Sequence, residues 1–381
     1  MENQKDLRFN KLVSNLHSGS SILLSAGCKE KNGEKKFDLF GNQDDSVSLQ
    51  KENWGVFTLG IAKAFILTDT LKQAFLIGTD SGKDLAAIYV TDEDRPISVN
   101  GNTQITGDAL LPKAGIKQAY VEGKGFKGKK LVNGKIHFSK RSLPPLDKDI
   151  LNSLIESLKE SSQNNNDIIP DSLNNSFFNP LITLSLGKSK AEIVNAISGR
   201  VIIKSDTTIR ISSDALLTDV IVFAPSIVVE DGFKGSVQLF ATDSIIAGKN
   251  VEFIYPSCLG ILKPNDSKIQ ARIQLGTRSK FSGILFSYEE NRSDLQTLIS
   301  LGKECKVTGE VFSTGFIKVD KPVTINGKVT CNRFIIQTPS TLYENYLIDI
   351  VIDRTKRSNY YLTSDLFATT KTTYQILKWL R

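Results

Sequence analysis

The chain has 381 residues, 40% of them apolar, and its 48 basic and 41 acidic side chains give a formal charge of +7 and a pI near 9.0. This is enough length for a sizeable core in one elongated domain or two compact ones. The charge is too balanced to announce nucleic-acid binding, although an anionic surface or polysaccharide would be attracted.

No run of 18 apolar residues occurs, and the first residues lack the basic, apolar, small-residue order of a signal peptide, so the chain as given reads as soluble. Residues 1–28 hold "DLRFNKLVSNLHSGSSILLS", where Leu7, Leu12, Val13, Leu16, Leu23 and Leu24 predict an amphipathic helix. Such a helix either caps the end of a stacked fold or reaches a partner or a second copy. The small residues Ser18, Gly19, Ser20 and Ser21 permit close approach.

Residues 29–145 begin with irregular strands in "FDLFGNQDDSVSLQKENWGVFTLGIAKAF" and "QAFLIGT", with a Gly-Asn turn at 41–42. Asn-Gly turns follow at 100–101 and 133–134. The frame Ile105-x-Gly107-x-Ala109 echoes one found later, so a first solenoid segment of looser period is expected here. Residues 146–180 hold a helix near 147–161, with Leu151, Leu154, Ile155 and Leu158 at helical spacing after a Pro-Pro start, and then an Asn- and Ser-rich exposed loop.

The most informative stretch is 181–338. In "KVTGEVFSTGFIKVDKPVTINGKVTCNRFII" a shift of 18 residues lays Val307 on Ile325, Gly309 on Gly327, Val311 on Val329, Phe316 on Phe334 and Ile317 on Ile335. The same shift lays Ile221 on Leu239, Val222 on Phe240 and Ile227 on Ile245, and a step back meets Ile203 and Ile209. Apolar residues alternating around a turn glycine at so short a period predict a unit that buries its apolar side only by stacking on copies of itself. The expected fold is therefore mainly β, a parallel β-solenoid of about 18-residue coils with short inserted helices; a β-sandwich of evenly spaced strands is the alternative. One inserted helix is expected at 286–303, between the frames Phe281-x-Gly283-x-Leu285 and Val307-x-Gly309-x-Val311. Residues 339–381 alternate apolar and polar and read as a cap or edge strands.

Few residues point to chemistry. "EGKGFKGKK" has the Gly123-x-Gly125-x-x-Gly128 spacing of dinucleotide sites, but no βαβ context surrounds it, so it reads as a corner or hairpin. Its lysines, Lys124, Lys127, Lys129 and Lys130, are candidates for binding a polyanion such as an acidic glycan, or else a solvated basic face. In "TDEDRP", Asp92, Glu93 and Asp94 are consecutive, and on extended chain they do not converge as a glycosidase pair must. His17 and His137 are the only histidines, too few for a multi-histidine metal site. The four cysteines, Cys28, Cys258, Cys305 and Cys331, lack C-x-x-C spacing, and Cys305 and Cys331 sit in apolar strands as small buried hydrophobes. No catalytic residue, metal site or cofactor is assigned.

The passage "IYVTDEDRPISVNGNTQITGDALLPKAGIKQAYVEGKGFKGKKLVNG", together with "YENYLIDIVIDRTKRSNYYL", resembles a poorly characterised family of Bacteroidota envelope proteins. That resemblance implies a pilin-like membrane helix at the start, a location in the cell envelope and no known activity; no membrane helix precedes Glu2 here. The V-x-G-x-V repeat is similar to that of bactofilins, polymer-forming solenoids. These readings together give a non-catalytic structural or assembly protein, with a polysaccharide-active β-helix enzyme or a glycan-binding adhesin as the alternative.

Overall fold

The computed structural model describes residues 2–25, 33–39, 45–80, 84–160, 168–187, 191–338, 341–367 and 373–381. The protein is mainly β, with helix α1 (Glu2–Leu23) at the N-terminus and helix α2 (Lys148–Lys159) between strands. Twenty described strands between Ala86 and Asp353 form one hydrogen-bonded network, nearly all parallel, that wraps a common core and leaves the strands of its first and last layers paired on one side. The expected class therefore holds: mainly β, parallel strands, an N-terminal helix.

The parallel strands stack in layers of three segments. Residues 216–218, 220–224 and 226–229 lie within one long strand, Leu216–Val229, and each segment pairs with the corresponding one in the layers before and after. Inward side chains form ladders. One runs Ile209, Ile227, Ile245, Ile273, Ile299, Ile317, and another Phe253, Phe281, Val307, Ile325. All of these are buried in a single apolar core.

Four pairings differ from the 18-residue reading. Leu239 pairs with Val222, not Ile221, and Phe240 with Phe223, not Val222; Phe334 pairs with Ile317, not Phe316, and Ile335 with Lys318, not Ile317. β-bulges cause both slips; the one near Asp219, at φ 62°, drops a residue from the pairing before Val220. Sequence periodicity could not locate that bulge because both faces of the strand are buried: Val220, Val222 and Ala224 face the inner core, while Ile221 and Phe223 face a second cluster outside. The helix expected at 286–303 is absent. The segment is strand Lys280–Glu289, a loop, and strand Leu298–Leu301, so the frame at Phe281 sits directly under Val307 in a layer lengthened to 26 residues.

The first parallel segment stacks onto the far end of the second. After strand Val323–Gln337, the next layer is composite, because Ile350–Asp353 pairs beside Ile325 while Ala86–Val90 pairs beside Val329. The ladders cross this join without a break, as Ile325, Ile352, Ile105 and as Val329, Ile88, Ala109, Ile136.

Strands Lys35–Phe37, Asp45–Trp54, Phe57–Ile66 and Asp69–Asp80, with Thr373–Leu380, form an antiparallel sheet that the repeat gave no sign of. One face, with Trp54, Phe57, Leu59 and Leu76, packs on the outside of the stack together with Ile150, Leu151 and Leu154 of α2. Asp147 caps α2, accepting the Ile150 amide at 2.9 Å, and fixes where that apolar stripe begins. The buried side-chain amide of Gln238 locks the two units, donating to Trp54 O at 2.9 Å and accepting from Val56 N at 3.0 Å. The other face takes α1, whose Leu12, Leu16 and Leu23 pack on Val47, Ala64 and Phe75. Thus α1 covers a sheet and not the end of the stack. A Cβ on Gly19 would stand 2.7 Å from Val47 Cγ1, and buried Ser20 donates to Gln73 Oε1 at 3.2 Å, so these two small residues serve this internal contact.

Candidate functional site

The last layer of the stack is built from residues 113–140. It contains strands Ile116–Gln118 and Ile136–Phe138, which pair only inward, with Ile97–Asn100 and Asp108–Leu111. Nothing among the described residues covers their outer edge, and Tyr120, Ile136 and Phe138 are 76%, 50% and 70% exposed. Among the described residues the opposite end is open in the same way: strands Ser172–Asn175, Ile182–Leu186 and Glu192–Ile193 pair on one side only, beside exposed Leu181 and Val194.

The glycine-rich loop lies in this last layer. Asn100 holds it, its amide donating to Ala119 O at 2.9 Å and Lys124 O at 2.6 Å, while Phe126 turns in against the core. Gly123 adopts φ 75°, as its corner requires, and no helix follows it. The predicted Lys124, Lys127, Lys129 and Lys130 are all exposed here. Over 113–140 the sequence has eight lysines against one glutamate, an excess equal to the +7 of the whole chain. The glutamate, Glu122, is itself paired with Lys321 at 3.1 Å. The protein's basic excess is therefore localised at one end.

The "TDEDRP" carboxylates do not converge. Asp92 is buried and accepts the amides of Asp94 at 3.2 Å and Lys113 at 3.3 Å. Glu93 pairs with Arg333 and with Arg292, the latter at 2.6 Å, and Asp94 pairs with Arg141 at 2.9 Å. Arg95 and Arg333 in turn hold Glu344, so the segment ties layers together. His17 and His137 are exposed on different elements. Cys258, Cys305 and Cys331 are buried and unbridged, and burial pushes their thiols up, that of Cys305 to about 11. Cys28 and the turn at 41–42 lie outside the described residues. Among those residues, no group of three His, Cys, Asp or Glu could hold a metal ion.

Two buried charge clusters come from residues that no motif singles out. Lys263 and Glu289, 2% and 3% exposed at their side chains and 3.7 Å apart, share Ser293. Glu310 pairs with buried Arg357, whose guanidinium lies 4.5 Å from the Tyr361 ring centroid. The only sequence signal was Glu310 standing 18 residues from Lys328, which places them in adjacent layers. No helix of the described residues is long and apolar enough to cross a membrane. No protein-family model matches the chain, and no curated protein or solved structure is similar enough to add to this description.

Proposed function

We propose that the stacked parallel layers are a β-solenoid and that the protein is a non-catalytic structural element that assembles through the ends of this rod. The observation that carries the reading is the pair of ends whose strand edges, among the described residues, are unpaired beside exposed apolar side chains. An edge of this kind is a template for another strand. Eight lysines on one end oppose contact between two like ends, whereas the segment 168–195 at the other end carries balanced charge, so association runs head to tail. The same basic end suits an acidic glycan. Location in the bacterial cell envelope belongs to this proposal and rests on the sequence resemblance.

Sedimentation across a concentration series tests it. The wild type is expected to form oligomers that Phe138→Asp, placing a charge on the open edge, reduces to monomer. A protein monomeric at about 100 μM that depolymerises an acidic glycan at about 1 per second or faster would overturn the structural reading in favour of an enzyme.

A further inference from the structure

The corner of each layer beside Val311 and Val329 is a glycine. Gly283, Gly309 and Gly327 stack one on the next at φ 139°, 133° and 156°. Continuing the register through the composite layer puts Arg354 above Gly327 and beneath Gly107, with Gly134 beyond it. A Cβ on Gly107 would lie 2.8 Å from Arg354 Cβ. An arginine therefore occupies one position of a glycine ladder. It does so at the layer where the corner is not continuous chain: Ile350–Asp353 leaves there and Ala86–Val90 enters.

The break opens a cleft of about 560 Å³, lined by Arg354, Asn133, Asp108, Ser358, Asn359 and others. This volume suits one or two sugar units. Its lining carries both signs of charge, with Asp80, Asp84 and Asp108 beside Arg354 and Arg357. Arg357 is held by Glu310, and Lys328 by Asp84 at 2.8 Å. The Arg354 backbone is fixed by Thr106 O at 2.8 Å, yet among the described residues its buried Nε has no hydrogen-bond partner and no carboxylate lies in ion-pair range of its guanidinium. A half-buried guanidinium that no carboxylate grips directly keeps its donor fork open to a ligand's anion. Burial, and then Arg357, hold its pKa below the usual arginine value.

We infer that this cleft binds an acidic sugar, its carboxylate on Arg354 and its hydroxyls on Asp108 and Asn133. The planar fork of arginine matches a carboxylate. The carboxylate of Asp108, one oxygen of which accepts the Lys135 amide at 2.9 Å, calls for hydroxyl donors that a bare anion does not bring. The inference stands apart from the lysine end, which lies in a different part of the last layer, and from assembly.

Titration calorimetry with D-glucuronate, D-glucose and inorganic phosphate tests it. Glucuronate is expected to bind with a Kd on the order of 1 mM, glucose and phosphate at least tenfold more weakly. Arg354→Gln should abolish glucuronate binding without lowering the melting temperature of the free protein, since it removes a charge that no carboxylate grips directly. Asn133→Asp, an exposed change, should weaken binding at least tenfold by repelling the carboxylate, and it gives a second reading should Arg354→Gln misfold. Absence of glucuronate binding, binding that survives both substitutions, or phosphate binding as tightly as glucuronate would each overturn the inference.

Discussion

At the scale of single residues, glycines at positive φ are not equivalent. A Cβ on Gly309 would stand 2.0 Å from Gly283 O, in backbone that cannot move without shifting the layer below, whereas Gly123, at φ 75°, faces open space. Gly309→Ala is therefore expected to lose about 3 kcal/mol or more in urea unfolding, and Gly123→Ala about 1 kcal/mol. Ile227, fully buried in mid-ladder, should cost about 2–5 kcal/mol when cut to alanine. The buried thiols make a prediction about pH. Their pKa is raised in the folded state, so the unfolded chain ionises first, from about pH 8.5. Stability is thus complete below that pH and falls as pH rises toward about 11, where Cys305 titrates. Denaturant midpoints from pH 7 to 11 should decline, and replacing Cys258, Cys305 and Cys331 by alanine should flatten that decline even if it lowers the starting value.

At the scale of elements, the contacts of α1 and of Gln238 set how far each unit depends on its neighbour. Removing residues 1–25 bares Val47, Ala64 and Phe75, so the shortened protein should bind a hydrophobic dye while keeping the far-ultraviolet signature of the stack. Unchanged dye binding would mean the helix does not rest on the sheet. Gln238→Leu leaves Val56 N and Trp54 O unpartnered in a buried seam and is expected to cost about 1–3 kcal/mol. These elements also show what a sequence can disclose. Val307 over Ile325 and Gly309 over Gly327 were readable because they pair ahead of the register shift between Ser313 and Phe316, where the spacing of 18 still holds. The pairing of Ile221 was misread because an apolar run buried on both faces carries no period of two. The antiparallel sheet was invisible as such, since its strands reveal themselves only by what they pair with. Arg354 was unreadable as a site for a related reason: its ladder neighbours Gly327 and Gly107 belong to segments far apart in sequence.

At the scale of the whole molecule, charge is polarised along the stack. Changing Lys124, Lys127, Lys129 and Lys130 to glutamine removes four of the seven excess charges from one end. Retention on a sulfated or uronic polysaccharide column should then fall to near that of a neutral protein at about 50 mM salt, with stability altered by less than about 0.5 kcal/mol because all four side chains are exposed. Retention equal to the wild type would place the attraction elsewhere. The composite layer has a further consequence, for how the protein is made. Thr91 reaches Asn332 across 241 residues, so strands synthesised early have no template until nearly the whole chain has left the ribosome. A rod of layers taken in chain order can grow as it is translated, each new turn settling on the last. Here the early segment must wait exposed and then close the far end, which makes completion of the stack a late, all-or-none event and makes any fragment ending before Ile350 unable to finish it.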